Sequence, residues 1–276
     1  MSDAVCPVCF RHCRLKEGQI GFCRARRNEG GKSVSVNYAK VTSVALDPIE
    51  KKPLARFHPG SMILSVGSFG CNMDCPFCQN ESCSRADEHS VEWRALPPDE
   101  LAELAEKLRP RGNIGAAFTY NEPMIGFEYV RDAARAVRGR GMKNAVVTNG
   151  AVSLDALDEV LPYVDAFNID LKGFTDKWYR ELGGDLSTVK AFIAEAAKRA
   201  HVELTTLVVP GGNDSEEEMR ALSSWVASVG KSIPLHVTRF FPRRNMLDRA
   251  PTDVNLLRRL AGIACENLET VLLGNV

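Results

Sequence analysis

From residue 62 onward the chain alternates short apolar runs with amphipathic stretches, and no other feature restricts its fold so strongly. The runs "MILSVGS", "IGAAFTY", "NAVVTN", "AFNIDLK", "VELTTLVV" and "PLHVTRFF", with "TVLLGNV" as a candidate seventh, have the length and residue content of buried strands. Between them, "PDELAELAEKL" sets Leu101, Leu104, Ala105 and Leu108 at helical spacing. The stretch "STVKAFIAEAAKRA" starts at a candidate cap, Ser187, and carries Val189, Phe192, Ile193, Ala196 and Ala200 as an apolar stripe. Strands that alternate with helices predict a parallel sheet covered by its own crossovers, here an α/β partial barrel.

The 276 residues fit one main domain with a small appendage: a Cys-rich module over 1–60 and a barrel core over 61–276. Within the module, "KSVSVNYAKVTSVAL" predicts one extended stretch. Hydrophobic residues are 45% and charged residues 25%, as in an ordinary globular protein. Lys plus Arg and Asp plus Glu are 35 each, so no net field draws the chain to nucleic acid or an anionic membrane. No apolar run is long enough to span a bilayer, and "MSDAVCPVCFRH" lacks a signal-peptide core, so a cytoplasmic protein is expected. Nine cysteines in a reducing compartment point to metal ligation rather than disulfides, and seven fall in two groups, 6, 9, 13, 23 and 71, 75, 78.

In βα architectures, ligands bind where the loops leave the carboxyl ends of the strands. The stretches there are "SFGCNMDCPFC", "TYNEP", "TNG", "DLKG", "VVPGG" and "RFFPRRN". Cys71, Cys75 and Cys78 make an incomplete set of ligands, since zinc or an iron–sulfur cluster in a closed site takes four. A zinc knuckle completed by Cys83 is one reading. Another is a 4Fe-4S cube held at three corners with one iron open. Cys265 lies on the apolar stripe of "VNLLRRLAGIACENL" and is expected in the core.

The Cys-x3-Cys-x2-Cys spacing, with Phe77 before the last cysteine, resembles the signature of the radical S-adenosylmethionine superfamily. The stretches "LDPIEKKPL", "FHPGS", "SFGCNMDCPFCQN", "AFTYNEP", "VVTNGAV", "FNIDLKGF" and "HVTRFFP" extend this over almost the whole chain. They resemble the AmmeMemoRadiSam-system radical enzymes, relatives of the pyruvate formate-lyase activating enzymes. The resemblance implies a partial (β/α)6-type TIM barrel, with a 4Fe-4S cluster on Cys71, Cys75 and Cys78 and S-adenosylmethionine as the ligand of the open iron. It implies reductive cleavage to a 5'-deoxyadenosyl radical that abstracts hydrogen from a partner protein or a small molecule. Electrons would come from a donor such as a flavodoxin or ferredoxin, and the enzyme is expected to be a monomer.

The same resemblance assigns cofactor contacts. Asn121 and Glu122 orient the methionyl amino group, although Asn-Glu-Pro is also a good helix start. Asp170 and Lys172 lie with Asn168 on one face of a strand; Lys172 faces the cofactor carboxylate and Asp170 holds it or the ribose, unless the two form only an internal ion pair. Thr148 and Asn149 contact the ribose, the backbone of Phe77 the adenine edge. His236 has two readings, a cofactor or substrate contact and a satisfied core group. Such chemistry rests on positioning more than on acid–base catalysis.

Members of that family also carry an N-terminal cysteine group, here Cys6, Cys9, Cys13 and Cys23, enough for one zinc ion or an auxiliary iron–sulfur cluster. Two departures stand out: Phe241 where relatives often have histidine, and an end at "LLGNV" where some relatives continue. A rival of another class is a non-catalytic electron-transfer or metal-binding adaptor, which leaves "TYNEP", "TNG" and "DLK" unexplained.

Overall fold

Each of the seven apolar runs becomes a strand in the computed structural model, which describes residues 3–276. The N-terminal region supplies β1 (Ala4–Val5), β2 (Arg14–Leu15), β3 (Arg26–Glu29), β4 (Lys32–Ser35), β5 (Lys40–Val41) and β6 (Ser43–Pro48). Then follow β7 (Met62–Gly67), β8 (Arg94–Ala95), β9 (Asn113–Phe118), β10 (Lys143–Thr148), β11 (Ala166–Asp170), β12 (His201–Val208), β13 (Leu235–Arg239) and β14 (Val271–Gly274). The main sheet has the order β14-β13-β12-β11-β10-β9-β7-β6, parallel from β14 to β7, with β6 antiparallel on β7. Its edge strands β6 and β14 do not pair, which makes it a partial barrel.

The helices are α1 (Glu81–Ser84), α2 (Pro98–Lys107), α3 (Phe127–Gly139), α4 (Leu154–Val160), α5 (Asp176–Glu181), α6 (Leu186–Ala196), α7 (Glu216–Val229) and α8 (Val254–Cys265). Five start on a side chain that accepts a backbone N–H of the first turn: Ser153, Thr175, Asp185, Ser215 and Asp253. Each such cap contributes about 1 kcal/mol. The cap of α6 is therefore Asp185, not Ser187; its carboxylate also takes the Ser187 hydroxyl at 2.7 Å, and a carboxylate satisfies the free N–H at least as well as a hydroxyl. Cys265 likewise departs from expectation. The buried stripe of α8 runs through Leu257, Leu260, Ala261 and Ala264, and Cys265, one residue past it, turns into solvent.

Strand alternation sorts the barrel wall. Phe118, Val146 and Phe167 stand in register on the outer face within the helix-covered core, while their neighbours Ala117, Ala145 and Ala166 face inward on Ile49, Leu54 and Ile63. Three alanines in a row leave room for a chain segment inside, and residues 49–57 fill it. Asn168 donates to the carbonyl of Pro53 at 2.8 Å, and the N–H groups of Ala55 and Arg56 donate to Glu203 at 3.0 and 2.7 Å.

The module does not end at residue 60 as a separate unit, because β6 is an edge strand of the barrel sheet and 49–57 plugs its floor. Nor is 32–46 one strand. A turn with Ala39 at φ +56 and Lys40 N–H on the Asn37 carbonyl breaks it, and the pieces pair with three different partners. No helix of the described residues is long and apolar enough to cross a membrane.

Candidate functional site

Where β7 stops, residues 68–80 form the three-cysteine loop at the carboxyl edge of the sheet. Asn121 builds its first turn: its Oδ1 accepts from Ser68 N–H at 3.0 Å and its Nδ2 donates to the carbonyls of Phe69 and Gly70 at 3.1 and 3.2 Å. Asn37 adds a bond to the Phe69 carbonyl at 3.0 Å. Gly70 has φ +91, and a Cβ there would lie 2.5 Å from the Cys23 carbonyl oxygen, so no other residue fits. Farther along, Asp74 N–H donates to the Leu182 carbonyl at 2.9 Å. Arg244, beyond β13, donates to the Cys75 carbonyl at 2.8 Å and pairs with Asp74 at 2.7 Å and Glu81 at 2.9 Å. The sequence points to no role for Arg244, Asn37 or Asn72, although it sets Arg244 and Asn72 at this edge, because their partners lie far away in the chain.

All three cysteines are half-buried, and the Cys71 and Cys75 thiols sit in a desolvated setting. Burial pushes Cys71 well above its ordinary value, with Glu122 and Cys75 adding to the rise, and pushes Cys75 up to about 11. Such thiols ionise only against a strong positive charge, which iron or zinc supplies on coordination. Among the described residues, no group of three or more His, Cys, Asp or Glu side chains closes on a single metal ion. Cys83 is buried and turns its thiol toward the Asn80 carbonyl, 3.4 Å away.

Glu122, 2% exposed, follows β9. Its carboxylate caps the turn at Pro123–Gly126 through Met124 N–H at 3.0 Å and accepts from the Thr148 hydroxyl at 2.6 Å and Asn149 N–H at 2.7 Å. Burial outweighs these bonds and pushes it up to about 7. The helix-start reading of Asn-Glu-Pro thus holds for Glu122, and Thr148 spends its hydroxyl on it. Asn149 donates to Asn72 Oδ1 at 2.9 Å and lies 3.6 Å from Cys71 Sγ.

Lys172 Nζ meets Asp170 Oδ2 at 2.7 Å, with the lysine side chain 15% exposed. Burial alone would lower the ammonium, but Asp170 and the neighbouring Cys75 raise it, so it stays charged. Its carbonyl takes Trp178 Nε1 at 2.8 Å and Asn213 Nδ2 at 2.9 Å, which fixes the backbone there. The Phe77 ring stacks on Trp178 at 6.1 Å and 18°.

His236 is not at this edge. It is near the amino end of β13, with Nε2 2.7 Å from Glu203 Oε2, so of its two readings the satisfied core group is the observed one. An isolated strand histidine cannot reveal which end of the sheet it occupies. Phe241 is 42% exposed beneath the Arg239 guanidinium.

The second cysteine group adjoins the first. Antiparallel β1 and β2 bring Cys6 N–H to the Cys13 carbonyl at 2.9 Å, and a turn from Gly21 to Arg24 holds Cys23. Cys6, Cys9 and Cys23 are buried. Burial pushes Cys23 up to about 12, with Cys9, Cys6 and Cys13 close enough to add to the rise.

Comparison with known proteins places the chain in a family. The family model described as Radical SAM superfamily matches residues 65–223. An uncharacterised protein of Methanocaldococcus jannaschii is 37% identical over 274 residues, 98% of this chain and 81% of that one. The pyruvate formate-lyase 1-activating enzyme of Escherichia coli is 27% identical over 168 residues, 58% of this chain and 67% of the enzyme. Among solved structures, a domain of the pyruvate-formate lyase-activating enzyme from Bacteroides vulgatus superposes with TM-score 0.52 at 16% identity, covering 58% of this chain and 99% of that one. Streptococcus suis SuiB bound to S-adenosylmethionine superposes with TM-score 0.59 at 14% identity, over 76% of this chain and 49% of SuiB. The model match takes in more than half of the chain and the M. jannaschii relative nearly all of it, and on that ground the protein is an enzyme of the radical SAM superfamily, related to the activating enzymes of pyruvate formate-lyase.

Proposed function

We propose that Cys71, Cys75 and Cys78 hold a 4Fe-4S cluster whose fourth iron takes the amino and carboxylate groups of S-adenosylmethionine. The observation that carries this is the convergence of the three-thiol loop with Glu122 and the Asp170–Lys172 pair at one edge of the sheet. The donor set fits: three thiols on one short loop, with a carboxylate and an ammonium beside them. When bound, the two cofactors supply a carbon-centred radical, made by one-electron cleavage of the sulfonium, that abstracts hydrogen from an unactivated carbon.

The chain's own residues position and exclude. Glu122 offers a carboxylate to the methionyl ammonium while its hydrogen bonds to Thr148 and Asn149 keep it in place. Lys172, still charged against Asp170, faces the methionyl carboxylate. Asn121 and Arg244 clamp the loop from opposite sides, which keeps the cofactor rigid. Phe77 on Trp178 makes an apolar wall from which its backbone reaches the adenine edge. Thr148 and Asn149 act through Glu122 and the loop more than on the ribose.

The substrate is a partner protein of the glycyl-radical type or a small molecule, and the electron comes from a flavodoxin or ferredoxin. Kinship with activating enzymes supports the protein target. The test is anaerobic: reconstitute with iron and sulfide, add a low-potential reductant and S-adenosylmethionine, and measure 5'-deoxyadenosine by mass spectrometry. No product from protein with a verified cluster would refute the reading; deuterium transfer from an added candidate would identify the target.

A further inference from the structure

We propose that Cys6, Cys9, Cys13 and Cys23 bind one metal centre, zinc or an iron–sulfur cluster, and that this centre seats the 68–80 loop and so sets the spectroscopic and redox properties of the neighbouring three-cysteine centre. The inference rests on the function proposed above and adds a role for the N-terminal module in it.

Two contacts join the two cysteine groups. The carbonyl of Cys23 accepts from Cys71 N–H at 3.2 Å, with Gly70 pressed against that same carbonyl. Arg11, between Cys9 and Cys13, sends Nε to the Asn72 carbonyl at 2.7 Å and a terminal nitrogen to the Gly183 carbonyl at 2.6 Å. The Asn72 side chain accepts from Asn149, itself 3.6 Å from Cys71 Sγ. Polar contacts therefore run from Arg11 through Asn72 and Asn149 to Cys71.

Cys9 and Cys23 lie in the main core, but the hairpin that carries Cys6 and Cys13 has little packing of its own. β1 and β2 have two residues each, and the local apolar cluster is Cys6, Val8, Leu15 and Ala156 with two partly buried neighbours. A metal centre would tie this thinly packed hairpin to the well-packed Cys9 and Cys23. The four thiols are the staple at hand: the β1–β2 pairing sets Cys6 against Cys13, and Cys13 Sγ lies 3.7 Å from the place a Cβ on Gly21 would take, on the turn that carries Cys23. As they stand, no three of the described side chains close on one metal ion, so the four sulfurs draw together only when the metal binds.

The experiment uses anaerobically purified full-length protein, with zinc, iron and sulfide counted per chain. Cys75→Ala, which lacks the three-cysteine centre, is expected to retain one metal centre, whose zinc or iron and sulfide content tells which kind it is. Cys6→Ser with Cys13→Ser is expected to lose that centre, still form the three-cysteine cluster, and show a shifted electron paramagnetic resonance spectrum and midpoint potential. Arg11→Met, with both centres intact, shifts both readouts in the same direction, and Arg11→Lys restores them in part. A Cys75→Ala protein without metal, or a spectrum and potential unchanged in the double variant or in Arg11→Met, overturns the proposal. Failure of the radical reading looks different: the three-cysteine cluster ignores S-adenosylmethionine while the N-terminal metal count stays as it was.

Discussion

The amide of Cys71 donates to the carbonyl of Cys23 across 3.2 Å, so the backbone of the first loop cysteine rests on that of the last cysteine of the N-terminal group. Between the two runs a positive-φ glycine whose missing side chain makes the approach feasible. Two cysteine clusters that look independent in the chain are one piece of structure.

Gly70→Ala tests that joint. An L-residue at φ +91 costs roughly 1–2 kcal/mol by itself, and the added Cβ would also strike the Cys23 oxygen. The expected result is a lower melting temperature together with reduced iron incorporation. Iron content equal to wild type would show that the loop does not depend on the joint.

Cys75→Ala is expected to abolish 5'-deoxyadenosine formation, whereas Cys265→Ala, now on a solvent-facing helix position, should leave both activity and stability within about 0.5 kcal/mol of wild type. Product from the first variant would contradict the assignment of the loop thiols.

Breaking the Asp170–Lys172 pair separates binding from folding. Lys172→Met removes the ammonium but keeps the stem, and is expected to weaken S-adenosylmethionine binding roughly tenfold or more while the cluster still forms. Isothermal titration against the reconstituted protein measures it. Unchanged affinity would return the pair to the status of an internal ion pair.

Glu203 makes stability depend on pH. Burial pushes its carboxyl up, but His201, His236 and the Arg56 amide outweigh that and hold it at about 2, below the ordinary 4.5. Because the folded value is depressed, this contribution is fully present above about pH 4.5 and is lost as the pH falls toward 2. It amounts to about 3 kcal/mol at most. Urea unfolding at pH 6 and pH 3.5 should show a steep fall for wild type and a shallower one for Glu203→Gln, which is less stable at pH 6. Parallel slopes would mean that Glu203 is not the group that titrates.

The strand-end polar stretches were legible because the sheet's geometry forces every βα loop to one edge; hence Cys71, Cys75, Cys78, Glu122, Asp170 and Lys172 gather where the alternation of apolar runs implied. His236 failed the same logic. Its strand was foreseen, but its position along that strand puts it beside Glu203, near the floor plug. Arg244 was invisible for a different reason: nothing near it in the chain hints at a bond to the Cys75 carbonyl.

The order of strands and helices, the thiol spacing and the family follow from the sequence alone, since each depends on residues close together in the chain, where periodicity and local geometry act. Only the tertiary structure decided that 43–57 belongs to the barrel, that Glu122 leans on Thr148 and Asn149, and that Cys23 backs Cys71. Those pairings are set by which distant backbone groups meet when apolar faces are buried, and no local pattern records them.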